Sequence, residues 1–97
     1  MKTLRTYQLA LGFYRESRTL SLKGPLKDQF DRAALSVVLN LAEGSSRPTS
    51  KDRKRFYTIA LGSLREVQAL LDIVRNEKLE AQADVLGAHL YRLCERT

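Results

Sequence analysis

From Ala33 to Ala42 the chain runs AALSVVLNLA, ten residues without a charge, inside a segment whose flanking residues favour a helix. At about 100° per residue, Ala33, Val37 and Leu41 share one face, while Leu35, Val38, Leu39 and Ala42 point to other sides. A surface helix of a small domain carries an apolar stripe and a charged back. A helix apolar nearly all round needs more neighbours than one domain of 97 residues supplies, so the pattern predicts burial between subunits. The first helical segment is also two-sided, with Leu4, Tyr7, Leu11 and Tyr14 on one side and Leu9, Phe13 and Leu20 on another. The candidate oligomer interface is therefore Leu9, Phe13, Leu35, Val38, Leu39 and Ala42.

One polar strip interrupts the apolar helix: Gln29, Arg32, Ser36, Asn40 and Glu43 are spaced 3, 4, 4, 3 and lie in a row beside the core stripe. A sheltered polar group without a partner costs about 1–3 kcal/mol. The row is expected to bond across to a neighbouring helix and to fix helix register, as buried polar residues do in coiled coils.

Hydrophobic periodicity predicts four helices, with no strand-like alternation and no internal repeat, hence an all-α single domain over residues 1–97. Helix one runs from about Thr3, a candidate N-cap, to about Leu22. Gly24-Pro25 stops it, and Pro25 suits the first turn of helix two, where its missing N–H has no helical partner. Gly44 reads as the C-terminal stop of helix two, and Ser45-Ser46-Arg47-Pro48 as a tight connection. Thr49 and Asp52 form a variant capping box opening helix three, whose core stripe is Phe56, Ile59, Ala60, Ser63, Leu64, Val67, Leu70, Leu71 and Val74. Gly62, mid-helix, predicts a close backbone approach. Asn76-Glu77-Lys78 is read as a turn before helix four, with its stripe of Leu79, Ala83, Leu86, Leu90, Leu93 and Cys94. Short connections favour antiparallel neighbours, so the expected architecture is an up-down-up-down four-helix bundle assembling as a ring-shaped homo-oligomer.

Charge narrows the partners. The net +6 divides into +3 for residues 1–44, +5 for residues 45–65 and −2 for residues 66–97. A basic cluster on one surface attracts polyanions in a salt-sensitive way. Arg47, Lys51, Arg53, Lys54, Arg55 and Arg65 are the candidate contacts to RNA or DNA phosphates, around a helix N-terminus whose free amides favour an anion. Leu61, among the polar residues of that helix's back, hints at a further contact. The alternative is a protein-binding adaptor or scaffold, for example for a reverse transcriptase or other nucleic-acid enzyme.

Catalysis is not expected. The stretch from Gly44 to Lys51 follows a helix and has Pro48 where amides are needed, so it is not a phosphate-binding loop. His89, the single histidine, allows no dyad and no imidazole metal cluster, and reads as structural. The single Cys94 excludes an intrachain disulfide and a cysteine zinc site, and reads as a small buried apolar residue in a reducing compartment. No apolar run approaches the roughly 20 residues that span a bilayer, so no membrane partner, no cofactor and a cytoplasmic location are expected.

The string Gln29 to Arg47, QFDRAALSVVLNLAEGSSR, with Arg55 to Glu66, RFYTIALGSLRE, and the Tyr7-Gln8-Leu9-Ala10 start, resembles the 23S rRNA intervening-sequence family over about the first three quarters of the chain. The resemblance implies an antiparallel four-helix bundle that assembles as a ring-shaped homopentamer. It also implies that the row Gln29, Arg32, Ser36, Asn40 and Glu43 is structural. A related branch, the accessory variability proteins of diversity-generating retroelements, is similar in fold and basic character and binds nucleic acid and a reverse transcriptase. Relative to the family, this chain is shorter between helices one and two.

Overall fold

The computed structural model describes residues 2–97, and side chains from Leu4 onward. Four helices make up the chain: α1 (Lys2–Ser17), α2 (Gly24–Ser45), α3 (Ser50–Val74) and α4 (Glu77–Arg96), with no strand among the described residues. α1 packs on α2 and α4, and α3 packs on the same two, so each helix touches two neighbours and diagonal helices stay apart. The body measures 39 × 22 × 18 Å. A 25-residue helix such as α3 is about 37 Å long, so the helices set the long axis.

Helix ends follow local chemistry. α1 stops at Ser17, short of the expected Leu22, where the chain tightens into three-residue turns, Thr19 N–H donating to Glu16 O and Leu20 N–H to Ser17 O, both at 3.1 Å; the Ser17 and Thr19 hydroxyls add bonds of 2.7 Å to Tyr14 O and Glu16 O. Leu20 and Leu22 still pack against the core from the connecting segment. The Thr3 cap falls on a side chain outside the described residues. Gly24 opens α2 at φ +64, a left-handed conformation that a side chain resists, with Pro25 just inside the helix. At the start of α3, Thr49 accepts from the Asp52 N–H at 3.1 Å, whereas Asp52 returns no bond, so one arm of the expected box forms. α4 starts at Glu77, not Leu79, because Asn76 is its cap, accepting from Leu79 N–H at 3.0 Å.

Phe30, Leu41, Leu64, Val67 and Leu90 are completely buried, and with Tyr57, Leu71 and Leu86 they form one core along the bundle. The α3 stripe is rotated from its expected position. Tyr57 points into the core at 1% exposure, while Ile59 is 44% exposed on the outer side. Two expected interface residues need correction as well. Phe13 and Val38 are core residues of a single chain, at 3% and 6% exposure, because each packs into the bundle and not outward. Leu9 is half-buried, and Leu35, Leu39 and Ala42 are exposed.

The glycines also change places. Gly44 is not a stop: it is buried inside α2, and a Cβ there would lie 2.7 Å from Tyr57 Cε1. At Gly62, the expected close approach, nothing lies within 4 Å of where a Cβ would be. The backbone contact that keeps side chains out is thus at the α2 side of the α2–α3 seam.

Candidate nucleic-acid interface

Tyr57 against Gly44 seats the first turns of α3 against the last turns of α2. Ser50 Oγ donates to Thr97 O at 2.6 Å, which brings the last residue of the chain to the same place. One end of the bundle therefore gathers the C-terminal turns of α2 and α4 and the N-terminal turn of α3.

The six expected phosphate contacts divide in this setting. Arg47 pairs with Glu43 at 2.7 Å, and its guanidinium lies 4.8 Å from the Phe56 ring centroid. Arg53 turns back on the α2–α3 connection, with Nη1 donating to the carbonyls of Arg47 at 3.1 Å and Pro48 at 3.0 Å. These two hold the loop in shape. Arg55 stacks on the other part of the arrangement, 4.7 Å from Phe56, and stays exposed. Lys51 and Lys54 are exposed, with no ion pair among the described residues. Arg65 lies ten residues beyond Arg55, about 15 Å along α3, where it donates to Gln68 Oε1 at 2.8 Å, and Gln68 in turn donates to Asp84 at 3.2 Å. Its charge is spread into an α3–α4 surface network, apart from the others. Leu61 packs against the core, which accounts for an apolar residue at that position.

Three further cations stand at this end that local charge does not reveal. Arg5 of α1 and Arg92 and Arg96 of α4 line a cleft with His89, Thr6 and Leu93. Their sequence separation hides them. The signal that reveals them is topology: once α1 and α4 are neighbours, the start of one helix meets the end of the other. Burial first, then the charges of Arg92 and Arg5, hold His89 below its ordinary 6.5, so the ring is neutral at pH 7.

The polar row is only partly sheltered. Ser36 and Ser63 hydroxyls bond across the α2–α3 seam at 2.7 Å, and Asn40 Nδ2 donates to Ser36 O at 2.9 Å and to Ser36 Oγ at 3.1 Å. Ser36 therefore reaches a neighbouring helix as expected, Asn40 bonds within α2, and Glu43 bonds to Arg47. Gln29 and Arg32 are exposed. Cys94 is buried; burial raises its thiol pKa, opposed by a hydrogen bond with Thr58 and by Lys54, and reinforced by Glu95. A thiol kept protonated is a poor nucleophile. Among the described residues no group of three or more His, Cys, Asp or Glu side chains is placed to hold a metal ion. None of the described helices is long and apolar enough to cross a membrane.

The fold and this surface define an all-α four-helix protein with a cationic end. The chain belongs to the 23S rRNA-intervening sequence protein family, whose model matches residues 2–96. No curated protein and no solved structure matches it.

Proposed function

We propose that this protein is a non-enzymatic subunit of a ring-shaped homopentamer, built as an up-down-up-down bundle, that holds RNA or DNA by phosphate contacts without reading sequence. The observation that carries the nucleic-acid reading is the gathering of Lys51, Lys54 and Arg55 beside Arg5, Arg92 and Arg96 at one end, where the acidic groups are Glu43, Asp52 and Glu95. Glu43 is already taken by Arg47. Exposed cations on flexible stems contact phosphates and release counterions, which supplies affinity independent of base identity.

The assembly reading rests on two unlike surfaces. Across α2 and α3, Leu35, Leu39, Ile59 and Ile73 are exposed, at 39%, 56%, 44% and 69%. On the opposite side, between α1 and α4, Leu9, Gly12, Ala81 and Val85 line an apolar groove of about 360 Å³, floored by Phe13. A ridge on one side and a groove on the other favour head-to-tail association, which closes into rings, over a self-complementary dimer contact. The family resemblance supplies the number five. Opposed pairings such as Ser36 with Ser63 and Ser50 with Thr97 support the alternating course of the helices.

Fluorescence anisotropy with labelled duplex DNA and with structured RNA tests the binding reading. Affinity for both is expected to fall steeply between about 50 and 200 mM salt, and the triple variant Lys51→Gln, Lys54→Gln, Arg55→Gln should lower the log–log slope by about 2 to 3. Absence of binding to either polymer at the low-salt end would overturn the proposal. A protein captured equally well from nuclease-treated and untreated lysate would then favour the adaptor alternative.

A further inference from the structure

Arg5, Arg92 and Arg96 are exposed like the cations beside them, but they also line one cleft together between α1 and α4. His89, Arg92 and Arg96 stand on one face of α4 at intervals of three and four residues, and Arg5 meets them from α1. The cleft has a volume of about 190 Å³, and its remaining lining is Thr6, 2% exposed, and Leu93. None of the three arginines has a carboxylate within ion-pair distance among the described residues. Glu16, the acidic residue on the α4-facing side of α1, pairs instead with Lys78 at 3.3 Å, at the opposite end of the bundle. Glu95, three residues beyond Arg92 on α4, makes no ion pair with any of the three arginines.

Three guanidinium groups lining one cleft with no carboxylate in ion-pair contact repel one another, and a neutral imidazole among them adds a donor without adding charge. Such a site gains from an anion what it loses without one. The cleft has room for one tetrahedral oxyanion with part of its hydration. Guanidinium forks match the oxygens of a phosphate in pairs, and several of them around one centre suit a double negative charge better than the single charge of a phosphodiester.

We propose that the α1–α4 cleft binds a tetrahedral dianion of the phosphate-monoester class, gripped by Arg5, Arg92 and Arg96 with His89 beside it. This site goes beyond the proposed phosphodiester contacts of Lys51, Lys54 and Arg55 and does not depend on them. It discriminates a terminal phosphate from an internal one by charge.

His89 is the sole histidine, so its ring resonances report on this cleft and on nothing else. The charged groups facing it are Arg5 from α1 and Arg92 and Arg96 from α4; α3, on the other flank of α4, contributes no residue to the cleft. A dianion bound next to the ring favours the imidazolium form, so binding takes up a proton. Sulfate is the cleaner first probe, since its charge is constant where a phosphate monoester titrates near pH 6. At ionic strength matched with chloride, sulfate should move the midpoint of the His89 titration to higher pH. By linkage it should bind about threefold or more tightly at about pH 5.5 than at about pH 7.5.

Arg5→Gln and Arg92→Gln should each raise the His89 midpoint without sulfate and together remove the response to sulfate. The triple variant at Lys51, Lys54 and Arg55 should leave that response intact, which separates failure of this site from failure of nucleic-acid binding. A second arm compares 5′-phosphorylated with 5′-hydroxyl oligonucleotides and with free inorganic phosphate. A shift from the phosphorylated oligonucleotide, or from free phosphate alone, supports the site and identifies its source. An unmoved His89 at saturating sulfate, or an equal response in the Arg5→Gln, Arg92→Gln double variant with unchanged helicity, would overturn it.

Discussion

Leu39→Asp is expected to reduce the assembled protein to an 11.0 kDa monomer, and Gly12→Glu should do the same from the other side of the bundle. Leu39 is 56% exposed on the α2–α3 ridge, so the change disturbs no packing within the chain. Burying such a leucine against a second copy contributes about 1.5–3 kcal/mol, and an unpaired carboxylate in its place reverses that gain. Gly12 has open space where a Cβ would stand and lies in the α1–α4 groove. In a head-to-tail ring each contact uses one ridge and one groove, so each variant alone lacks one half of every contact. Mixed in equal amounts, the intact ridge of one variant meets the intact groove of the other, and association stops at a pair. Light scattering and sedimentation distinguish the species: a full-size particle of about 55 kDa for the parent, monomers for each variant and a heterodimer for the mixture. A parent chain that remains a folded monomer at micromolar concentration would dispose of the assembly, and a Leu39→Asp variant of full size would dispose of the ridge.

Gly44→Val should cost about 3 kcal/mol or more, the upper end of what inserting atoms into a packed seam does. Even the first added carbon would lie 2.7 Å from Tyr57 Cε1, 2.9 Å from Cδ1 and 3.1 Å from Phe56 Cβ. The Tyr57 ring is 1% exposed and has no room to turn aside. α3 must therefore move away from α2, and Phe56 moves with it. Since Arg47 and Arg55 both lie over Phe56, the cationic surface should loosen as stability falls. For a domain of this size each kcal/mol is worth about 4–8 °C in Tm, so thermal denaturation followed by circular dichroism reads the effect directly. Gly62→Ala in the monomeric Leu39→Asp background serves as the contrast, with a gain of up to about 1 kcal/mol from helix propensity alone. A Gly44→Val chain as stable as the parent would show that α2 and α3 do not approach as closely as described.

Much of the fold is legible in the sequence because apolar residues at helical spacing leave few alternatives. The stripe from Ala60 to Leu71 and the one from Leu79 to Cys94 point to the core as periodicity requires. Helix ends are less legible, since they turn on single hydroxyls and amides, as at Ser17, Thr19 and Asn76. Gly44 and Gly62 show another limit: each is a glycine inside a helix, and only the neighbour across the seam decides which one is needed. The same holds for Arg53, whose charge suggests a phosphate while its geometry clamps two carbonyls. The run from Arg47 to Arg55 is visible as a local excess of charge. Arg5, Arg92 and Arg96 are not, because sequence distance carries no information about which helix tips meet.

The placement of these cations at one tip of a body 39 Å long has an electrical consequence. Each subunit carries a permanent dipole along its helices, so in the field of a polyanion it turns before it touches, and arrives tip first. Copies related by rotation about a common axis add the components of these dipoles along that axis. The proposed ring would have one positive rim and one nearly neutral rim, and a nucleic acid would meet it from a single side.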